Sequence, residues 1–576
     1  MFCLTAAEQR ALDRYAVERG IALDLLMEAA GLQVYNWIQR AQEAGLLAPD
    51  LQVLIFCGRG NNAGDGYVLA RHLAGAAYTW ALYEEDVERA AGFTQALAQA
   101  RQAALAQGQT FGSWAEGRAR IEAWMSVQTR TQSLTQSSVA DSEQGARLLA
   151  WPDTVFPLPR CWEEGGRRPG PCKLLVVDAV YGSGFSCARG LSAEASSLFA
   201  LWAKAREEAG LAVLSVDIPS GVSADDGSAA PGACRADWTL SFVAAKTGLL
   251  SAPGRVLAGD IYVAQIGLGP QLLRDFWQTQ GGFSTACLRG EDLAQARPRR
   301  SWDSHKTRQG RALFCCGSRG LQGAAQLALL AATRMGLGYI HALVDPEDYS
   351  AALAAQPAVL WRKWTGGLDT ELCNLLRKQD LVLLGPGWGP DYDGCRRALL
   401  DLALLEARQL VLDADALNLL AQDRGHYQEL LRERRKRGLA KPVLTPHTGE
   451  FQRLCPELQN GSSRLEACLQ AAETYSSVLL LKGFATVVAD AEARPRCYLN
   501  STGGPSLARA GTGDILSGLL AALLAQGQEP LLAAAQAAHI HGLAGDLSAQ
   551  RWGLLGASTE RILDGLELAQ EALGWH

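Results

Sequence analysis

The sequence predicts an α/β protein built on mostly parallel sheets. Apolar runs without polar alternation recur along the chain, most of them end in glycine or an acid, and each is followed by a stretch with helical periodicity. A strand that is apolar on both faces is covered on both, which is how parallel strands between helices read. Such sheets bind ligands beyond the carboxyl ends of their strands, and in this chain Gly, Asp, Asn and Ser collect there.

The strand-like runs come in the order "LQVLIFCGRG", "KLLVVDAVYGSG", "LAVLSVDIPSG", "RALFCCGSRG", "LVLLGPGWG", "QLVLDADALNLL" and "VLLLKGFATVV". Two breaks divide them. A polar stretch of Gln, Ser, Thr, Arg and Trp near 109–171 has the composition of a loop or helical insertion rather than core. The segment "LRGEDLAQARPRRSWDSHKTRQG" carries the proline and basic residues of a linker. The expected domains are therefore 1–285, a linker at 286–304, and 305–576.

Bulk properties narrow the function. The 576 residues suggest three or four domains by length alone, or two if each is a large α/β domain. With 48% apolar and 20% charged residues the composition is that of a globular protein. A formal charge of -6 offers no bulk attraction to nucleic acid or to an anionic membrane, and no apolar stretch is long enough to span a bilayer. The 14 cysteines form no CxxC pair, and Cys315 and Cys316 sit in an apolar run, so buried free thiols in a reducing cytoplasm are expected. The start, "MFCLTAAEQRALDRYAVERG", mixes charges into its apolar positions and reads as neither a signal peptide nor a transit sequence.

In the first half, "IFCGRGNNAGDGYVLARHL" reads as strand, glycine-rich turn and helix. Gly58, Gly60 and Ala63 match G-x-G-x-x-A, with Glu84 to Asp86 at the spacing of a ribose-binding acid. The doubled asparagine is more specific. Asn61, Asn62 and Asp65 crowd oxygens where a phosphate wants N–H donors, and such oxygens suit a hard cation or ribose hydroxyls. Two more strand ends supply oxygens: Asp178 opens "DAVYGSGF", and Asp217 opens "DIPSGVSADDG" with Ser220 close behind. Each aspartate alone reads as a cap or turn former.

"NNAGDG", "VDAVYGSG" and "VDIPSG", in this order, resemble the epimerase domain of the NAD(P)H-hydrate repair enzymes, with Ala63 where that family usually carries glycine. The resemblance implies a Rossmann-like three-layer domain. It implies that Asn61, Asn62, Ala63, Gly64 and Asp65 contact the hydrated nucleotide, together with Gly182, Ser183, Gly184, Phe185, Ser186, Cys187 and Ala188. It further implies a potassium ion held by Asn62, Asp178 and Ser220, and Asp217 at the nicotinamide end as the candidate for proton transfer.

In the second half, "ARAGTGDILSGLLAALL" sets two glycines, a threonine and Asp514 directly before an apolar helix. A helix N-terminus is electropositive and has unpaired N–H groups. Either Asp514 caps those donors, or Gly511 and Gly513 let the backbone approach a phosphate while Asp514 handles a proton beside it. "NSTGGPSLARAGTGDILSG" resembles the anion hole of ribokinase-like three-layer folds, where preorganised donors stabilise a transferring phosphoryl group. "CCGSRGLQGAA", "LGPGWG", "DADALN", "LTPHTGEF", "LKGFATVV" and "HIHGLAGD" then occur in sequence. Together they resemble the ADP- or ATP-dependent NAD(P)H-hydrate dehydratase domain over nearly all of 305–576. Thr-Pro-His-x-Gly-Glu is the deciding element, since sugar kinases of this fold lack it.

This second resemblance implies Asp514 as the catalytic base. It places Lys482, Gly483, Phe484, Ala485, Thr486 and Gly513 on the adenine nucleotide, and Ala324, Gly387, His447 and Asp514 on the substrate. Mg²⁺ would bridge the phosphates. Read by themselves, His447 serves equally as a cap, His539 and His541 suit helix packing better than a metal pair, and Trp388 suits a stacking or a core role.

The implied function is repair of NADHX and NADPHX, the hydrates of the reduced nicotinamide cofactors. The first half interconverts the R and S forms, and the second dehydrates the S form at the expense of ADP or ATP. ADP is the expected donor, from the fused two-domain layout. A homo-oligomer is implied by the relatives' habit. The alternatives are a ribokinase-like small-molecule kinase fused to a nucleotide-binding domain, a non-catalytic RNA-processing scaffold, and an NAD-linked dehydrogenase. The presence of Asn62, Asp65, Asp178, Asp217 and Ser220 argues against a scaffold that has lost its enzymatic residues.

Overall fold

A computed structural model describes residues 1–76, 78–85, 95–106, 111–132, 155–156, 170–298, 300, 302–391, 394–458 and 463–575. The chain divides into two compact units, the first of Phe2–Leu158 and Glu163–Phe283, the second chiefly of Ser284–His576.

The first unit is built on β1 (Leu47–Cys57), β2 (Thr79–Glu84), β3 (Phe111–Ser113), β4 (Val155–Phe156), β5 (Cys172–Ala179), β6 (Ala212–Val216), β7 (Trp238–Phe242) and β8 (Asp260–Ala264). Their order is β3-β2-β1-β5-β6-β7-β8-β4, parallel except where β4 meets β8. Side chains alternate across a strand, and β1 shows why both faces are apolar. Val53, Ile55 and Cys57 enter one core with the helices Leu23–Glu43 and Asn61–Gly75, while Leu54 and Phe56 enter another with Ala193–Ala209. Strand order reverses between β1 and β5, and a crevice opens at such a reversal.

The second unit carries β9 (Thr285–Ala286), β10 (Arg311–Cys315), β11 (Tyr339–Val344), β12 (Leu360–Lys363), β13 (Leu381–Leu384), β14 (Leu410–Leu412), β15 (Val443–Leu444), β16 (Val478–Leu481), β17 (Val487–Ala489) and β18 (Cys497–Leu499). The order is β12-β11-β10-β13-β14-β15-β16-β17-β18-β9, parallel through β16, with antiparallel pairing at β16–β17 and β17–β18. Ala312, Phe314, Leu381 and Leu383 pack with the helices Gln322–Arg334 and Thr512–Ala525, and Leu313 and Val382, pointing the other way, are equally buried. Here the order reverses between β10 and β13. The expected α/β class, with helices on both faces of each sheet, is what the chain adopts.

Two expectations change. Part of the polar stretch is core: residues 111–132 form β3 and the helix Trp114–Gln132, and Trp114, Ile121 and Met125 pack in one cluster with Phe56 and Trp202. Apolar residues at helical spacing inside a polar composition are enough to seat that helix. The rest of 109–171, apart from β4 and 170–171, lies outside the described residues, as does Asp86. The segment expected as a linker belongs instead to the second unit. β9 pairs with β18, and Leu288 and Leu293, spaced among its polar residues, are buried in that unit's core. Every cysteine among the described residues is a free thiol, Cys315 and Cys316 being buried. Among those residues, no helix is long and apolar enough to cross a membrane.

Candidate active sites

In the first unit, the stretch after β1 is helix rather than extended loop. Gly60 is the N-cap of Asn61–Gly75, so Asn61 to Asp65 occupy the first turns, Asn61 exposed and Asn62 and Ala63 buried. Gly58 answers to packing: a Cβ there would lie 2.1 Å from the Val180 carbonyl oxygen. Of the acids Glu84 to Asp86, the first is already engaged. Glu84 is held through both oxygens by Arg101, at 2.6 and 2.8 Å, and accepts from the Tyr67 hydroxyl at 2.7 Å. A carboxylate so engaged is not left for a ribose.

Asp178, at the end of β5, is fully buried. It accepts from the Ser220 hydroxyl (2.5 Å) and amide (2.9 Å), the Ser215 hydroxyl (2.9 Å) and the Val180 amide (3.3 Å). Burial raises its carboxyl above the ordinary range, against the pull of those bonds. Asn62 donates to the Tyr181 carbonyl at 3.3 Å, and the Ser220 hydroxyl lies 3.3 Å from the same oxygen. Asn62, Asp178 and Ser220 thus converge on one backbone segment. The turn Gly182–Ala188 follows it directly, partly exposed, with Gly182 packed against Asn62. The atoms that Asp178, Ser220 and the Tyr181 carbonyl present here are oxygens, which suit an alkali cation.

Asp217, just after β6, has φ +65°, in the left-handed region. The Lys246 ammonium, 1% exposed, lies 2.6 Å from its carboxylate, and Ser241 donates to the same oxygen at 3.3 Å. Lys246 also donates to the Ser241 hydroxyl and the Phe242 carbonyl, each at 3.2 Å. Asp65 faces this pair. Burial pushes its carboxyl well above the usual range, the Asp217 and Asp13 charges add, and Lys246 opposes them. Asp13, on the helix Ala6–Glu18, is likewise raised by burial. Sequence reasoning missed Lys246 and Asp13. A lone lysine inside the apolar run "FVAAKTGLL" was the available signal, because a buried charge demands a partner.

In the second unit, Gly511 is the N-cap of Thr512–Ala525 with φ +88°, and a Cβ there would meet Leu327 at 2.5 Å. Gly518 lets this helix approach Gln322–Arg334, since its Cβ would sit 2.0 Å from the Ala328 carbonyl oxygen. Asp514 falls on the first turn, half-buried. Burial lifts its carboxyl to about 6, the Asp413 charge adds, and Lys482 opposes; no hydrogen bond contributes. That is not how a capping carboxylate behaves, because a cap accepts backbone N–H bonds that lower its pKa.

Lys482 is turned toward this corner. Its ammonium lies 2.7 Å from Asp413, 4.0 Å from Glu450, and 3.6 Å from where a Cβ on Gly513 would stand. The other Asp413 oxygen accepts from the Ser517 hydroxyl at 2.6 Å. Burial works to raise Asp413, but Lys482 with the Ser517 and Thr445 hydroxyls leaves it below the ordinary range. Glu450 is raised by burial against the Lys482 charge. Gly483 to Thr486 form the β16–β17 connection, with Ala485 at φ +56°, Phe484 exposed, and the Thr486 hydroxyl donating to the Gly483 carbonyl at 2.9 Å.

His447 caps the short helix Thr448–Leu454: its Nδ1 accepts from the Gly449 and Glu450 amides, and its Nε2 faces Glu450 at 3.2 Å. Ala324 and Gly387 meet across the β10/β13 reversal, where a Cβ on Gly387 would approach Ala324 to 2.9 Å. Trp388 is 1% exposed and is a core residue, closed to ring stacking by a ligand. His539 and His541 are buried, and burial holds both imidazoles at about 4. Asp413 and Glu450 stood inside quoted motifs, but nothing local shows that they share a lysine.

Residues 312–567 match the family described as NAD(P)H-hydrate dehydratase, and residues 23–248 match the YjeF-related protein N-terminus. The bifunctional NAD(P)H-hydrate repair enzyme Nnr of Moorella thermoacetica is 34% identical, across 98% of this chain and 96% of its own. The chain belongs to the bifunctional NAD(P)H-hydrate repair enzyme family. Family members from Salinibacter ruber and Escherichia coli are 34% and 30% identical, covering 96% and 92% of this chain and 92% and 88% of their own. Among solved structures, the ADP/ATP-dependent NAD(P)H-hydrate dehydratase of Bacillus subtilis, co-crystallized with ATP/Mg2+, is 25% identical; it covers 50% of this chain and 98% of its own, at a TM-score of 0.41. Membership along both halves does not favour the kinase, scaffold and dehydrogenase alternatives.

Proposed function

We propose that the first unit interconverts the R and S forms of NADHX and NADPHX, and that the second dehydrates the S form at the expense of ADP or ATP. One observation carries the chemistry of the second unit: Asp514 sits on a glycine-built helix N-terminus with its carboxyl lifted to about 6. At neutral pH it is ionised yet retains proton affinity, which is what a general base needs.

Hydroxide is a poor leaving group and phosphate a good one. Asp514 takes the proton of the ring hydroxyl as its oxygen attacks the terminal phosphoryl group of the nucleotide, and AMP leaves when ADP is the donor. The N–H groups at Gly511 to Gly513 face the charge that develops on that phosphoryl group. The ring nitrogen lone pair then expels phosphate, and loss of the neighbouring carbon's proton restores the double bond. The Gly483–Thr486 connection, with Gly513, holds the adenine nucleotide, and Ala324, Gly387 and His447 hold the hydrate. The carboxylate oxygens near the turn suit a hard cation carried on the phosphates, and Mg²⁺ bound there would screen their charge.

In the first unit, Asp217 and Asp65 form the proton-handling pair at the hydroxyl-bearing carbon, with Asn61 to Asp65 and Gly182 to Ala188 around the substrate. Asn62, Asp178 and Ser220 would hold K⁺, whose positive charge would stabilise a buried carboxylate. Cytoplasmic location and a homo-oligomeric state complete the proposal; free thiols suit a reducing compartment, and light scattering tests the assembly. The central experiment gives purified protein both hydrate epimers with Mg²⁺, either nucleotide, and K⁺ or Na⁺. Recovery of reduced-cofactor absorbance from both epimers is expected with K⁺, and a slowed R-form phase with Na⁺. Absence of recovery with either nucleotide refutes the reading.

A further inference from the structure

The Asp413 carboxylate is 2% exposed and bonds on both sides, to Lys482 at 2.7 Å through one oxygen and to Ser517 at 2.6 Å through the other. Ser517 lies three residues beyond Asp514, on the same turn of the helix. Asp413 therefore touches both the ammonium beside the glycine turn and the helix turn that carries the proposed base. We propose that Asp413 is a positioning residue of the dehydration site: it fixes Lys482 against Gly513 and keeps that ammonium from closing onto Asp514. This rests on the proposed role of Asp514.

The physical argument concerns where a shared cation goes. Lys482 has three carboxylates within its field, Asp413, Glu450 and Asp514. Only Asp413 offers it a close hydrogen bond, so Asp514 is left without a full counter-ion. The remaining polar and titratable groups at this corner are Glu450 on Thr448–Leu454, His541 on Pro530–Trp552, the Thr445 hydroxyl after β15 and the Cys316 thiol after β10. None of these holds Lys482 as closely as Asp413 does. Without the Asp413 charge, the ammonium's nearest remaining acids are Asp514 and Glu450. Paired to Lys482, Asp514 would be a weaker base, and the turn would lose its fixed cation.

The test compares Asp413→Asn, Ser517→Ala and Asp514→Asn in the full chain, with ADP, Mg²⁺ and the S hydrate. Asp413→Asn is expected to lower kcat about 100-fold with little change in KM, and to move the acid limb of kcat/KM down by about one pH unit. Ser517→Ala, which keeps the ion pair, should cost about fivefold in kcat. A merely structural role would lower the folded fraction and leave kcat per folded molecule in place, and loss of the Asp413 charge by itself would move the acid limb without the ~100-fold fall in kcat. An unmoved acid limb, or wild-type kcat in Asp413→Asn, overturns the proposal. If that variant does not fold, wild-type kcat in Ser517→Ala overturns it and a fivefold loss supports it. Asp514→Asn separates the two levels: if it turns over normally, the base assignment itself fails, whereas an inactive Asp514→Asn beside a normal Asp413→Asn overturns only the positioning role.

Discussion

Both units set a lysine, buried in the first and partly buried in the second, against an aspartate at the carboxyl end of a central parallel strand, and they differ in which aspartate the lysine takes. In the first, Lys246 pairs at 2.6 Å with Asp217, the residue the motif singles out, and Asp65 is the neighbour with raised proton affinity. In the second, Lys482 pairs at 2.7 Å with Asp413, and the motif residue Asp514, like Glu450, is left with raised proton affinity. In each unit a carboxylate near the lysine but without its close hydrogen bond is raised by burial, while the lysine's charge opposes that rise. A conspicuous aspartate in a motif and the proton carrier of a site need not be the same residue.

The sharpest way to break this comparison is to remove one motif aspartate at a time. Asp514→Asn should lower dehydration by about 10³-fold or more and leave epimerisation unchanged, and Asp217→Asn should do the reverse. Separate assays on the R and S hydrates read both rates, and loss of both activities in either variant would end the separation of roles. Next in size, Lys246→Met leaves the partly buried Asp217 without its cation and should destabilise the first unit by about 3 kcal/mol, read by chemical denaturation.

Gly518→Ala tests how the second site is held together. Its new methyl would meet the Ala328 carbonyl oxygen, a backbone atom, at 2.0 Å. About 2–3 kcal/mol of stability should be lost, with a rise in the KM for nucleotide as the helix carrying Asp514 shifts. A pH series then sharpens the contrast. Asp514 must be unprotonated to act, and its carboxyl is raised from 3.8 to about 6. Dehydration kcat/KM should therefore fall about tenfold per pH unit below about 6, whereas an unperturbed carboxylate would put that limb near 4. The smallest effect concerns Ala63, buried in the first turn of its helix. Ala63→Gly should cost about 1 kcal/mol, a helix-propensity loss visible as a lower melting temperature.

How much was legible follows from how local each feature is. The parallel sheets were legible because a doubly covered strand shows its burial in its own residues, as Val53 to Cys57 do. The placement of Asp514 was legible because a glycine turn and the helix it starts are contiguous. The core role of the helix Trp114–Gln132 was hidden because the window around it averages to a polar composition, although its own apolar positions are spaced for a core. His447 reads equally as a cap and a substrate contact; its bonds to Gly449 and Glu450 show the cap, and the proposed contact with the hydrate stands beside it.

By itself, then, the sequence determined the class of both halves, the strand ends where polar residues gather, and the glycine turn with its acid. Those features depend on residues a few positions apart. Only the tertiary structure decided which charges share a cation. Asp413 meets Lys482 across 69 positions of chain and Ser517 across 104, and a pairing of that span is set by the order of strands in the sheet, which no local pattern encodes.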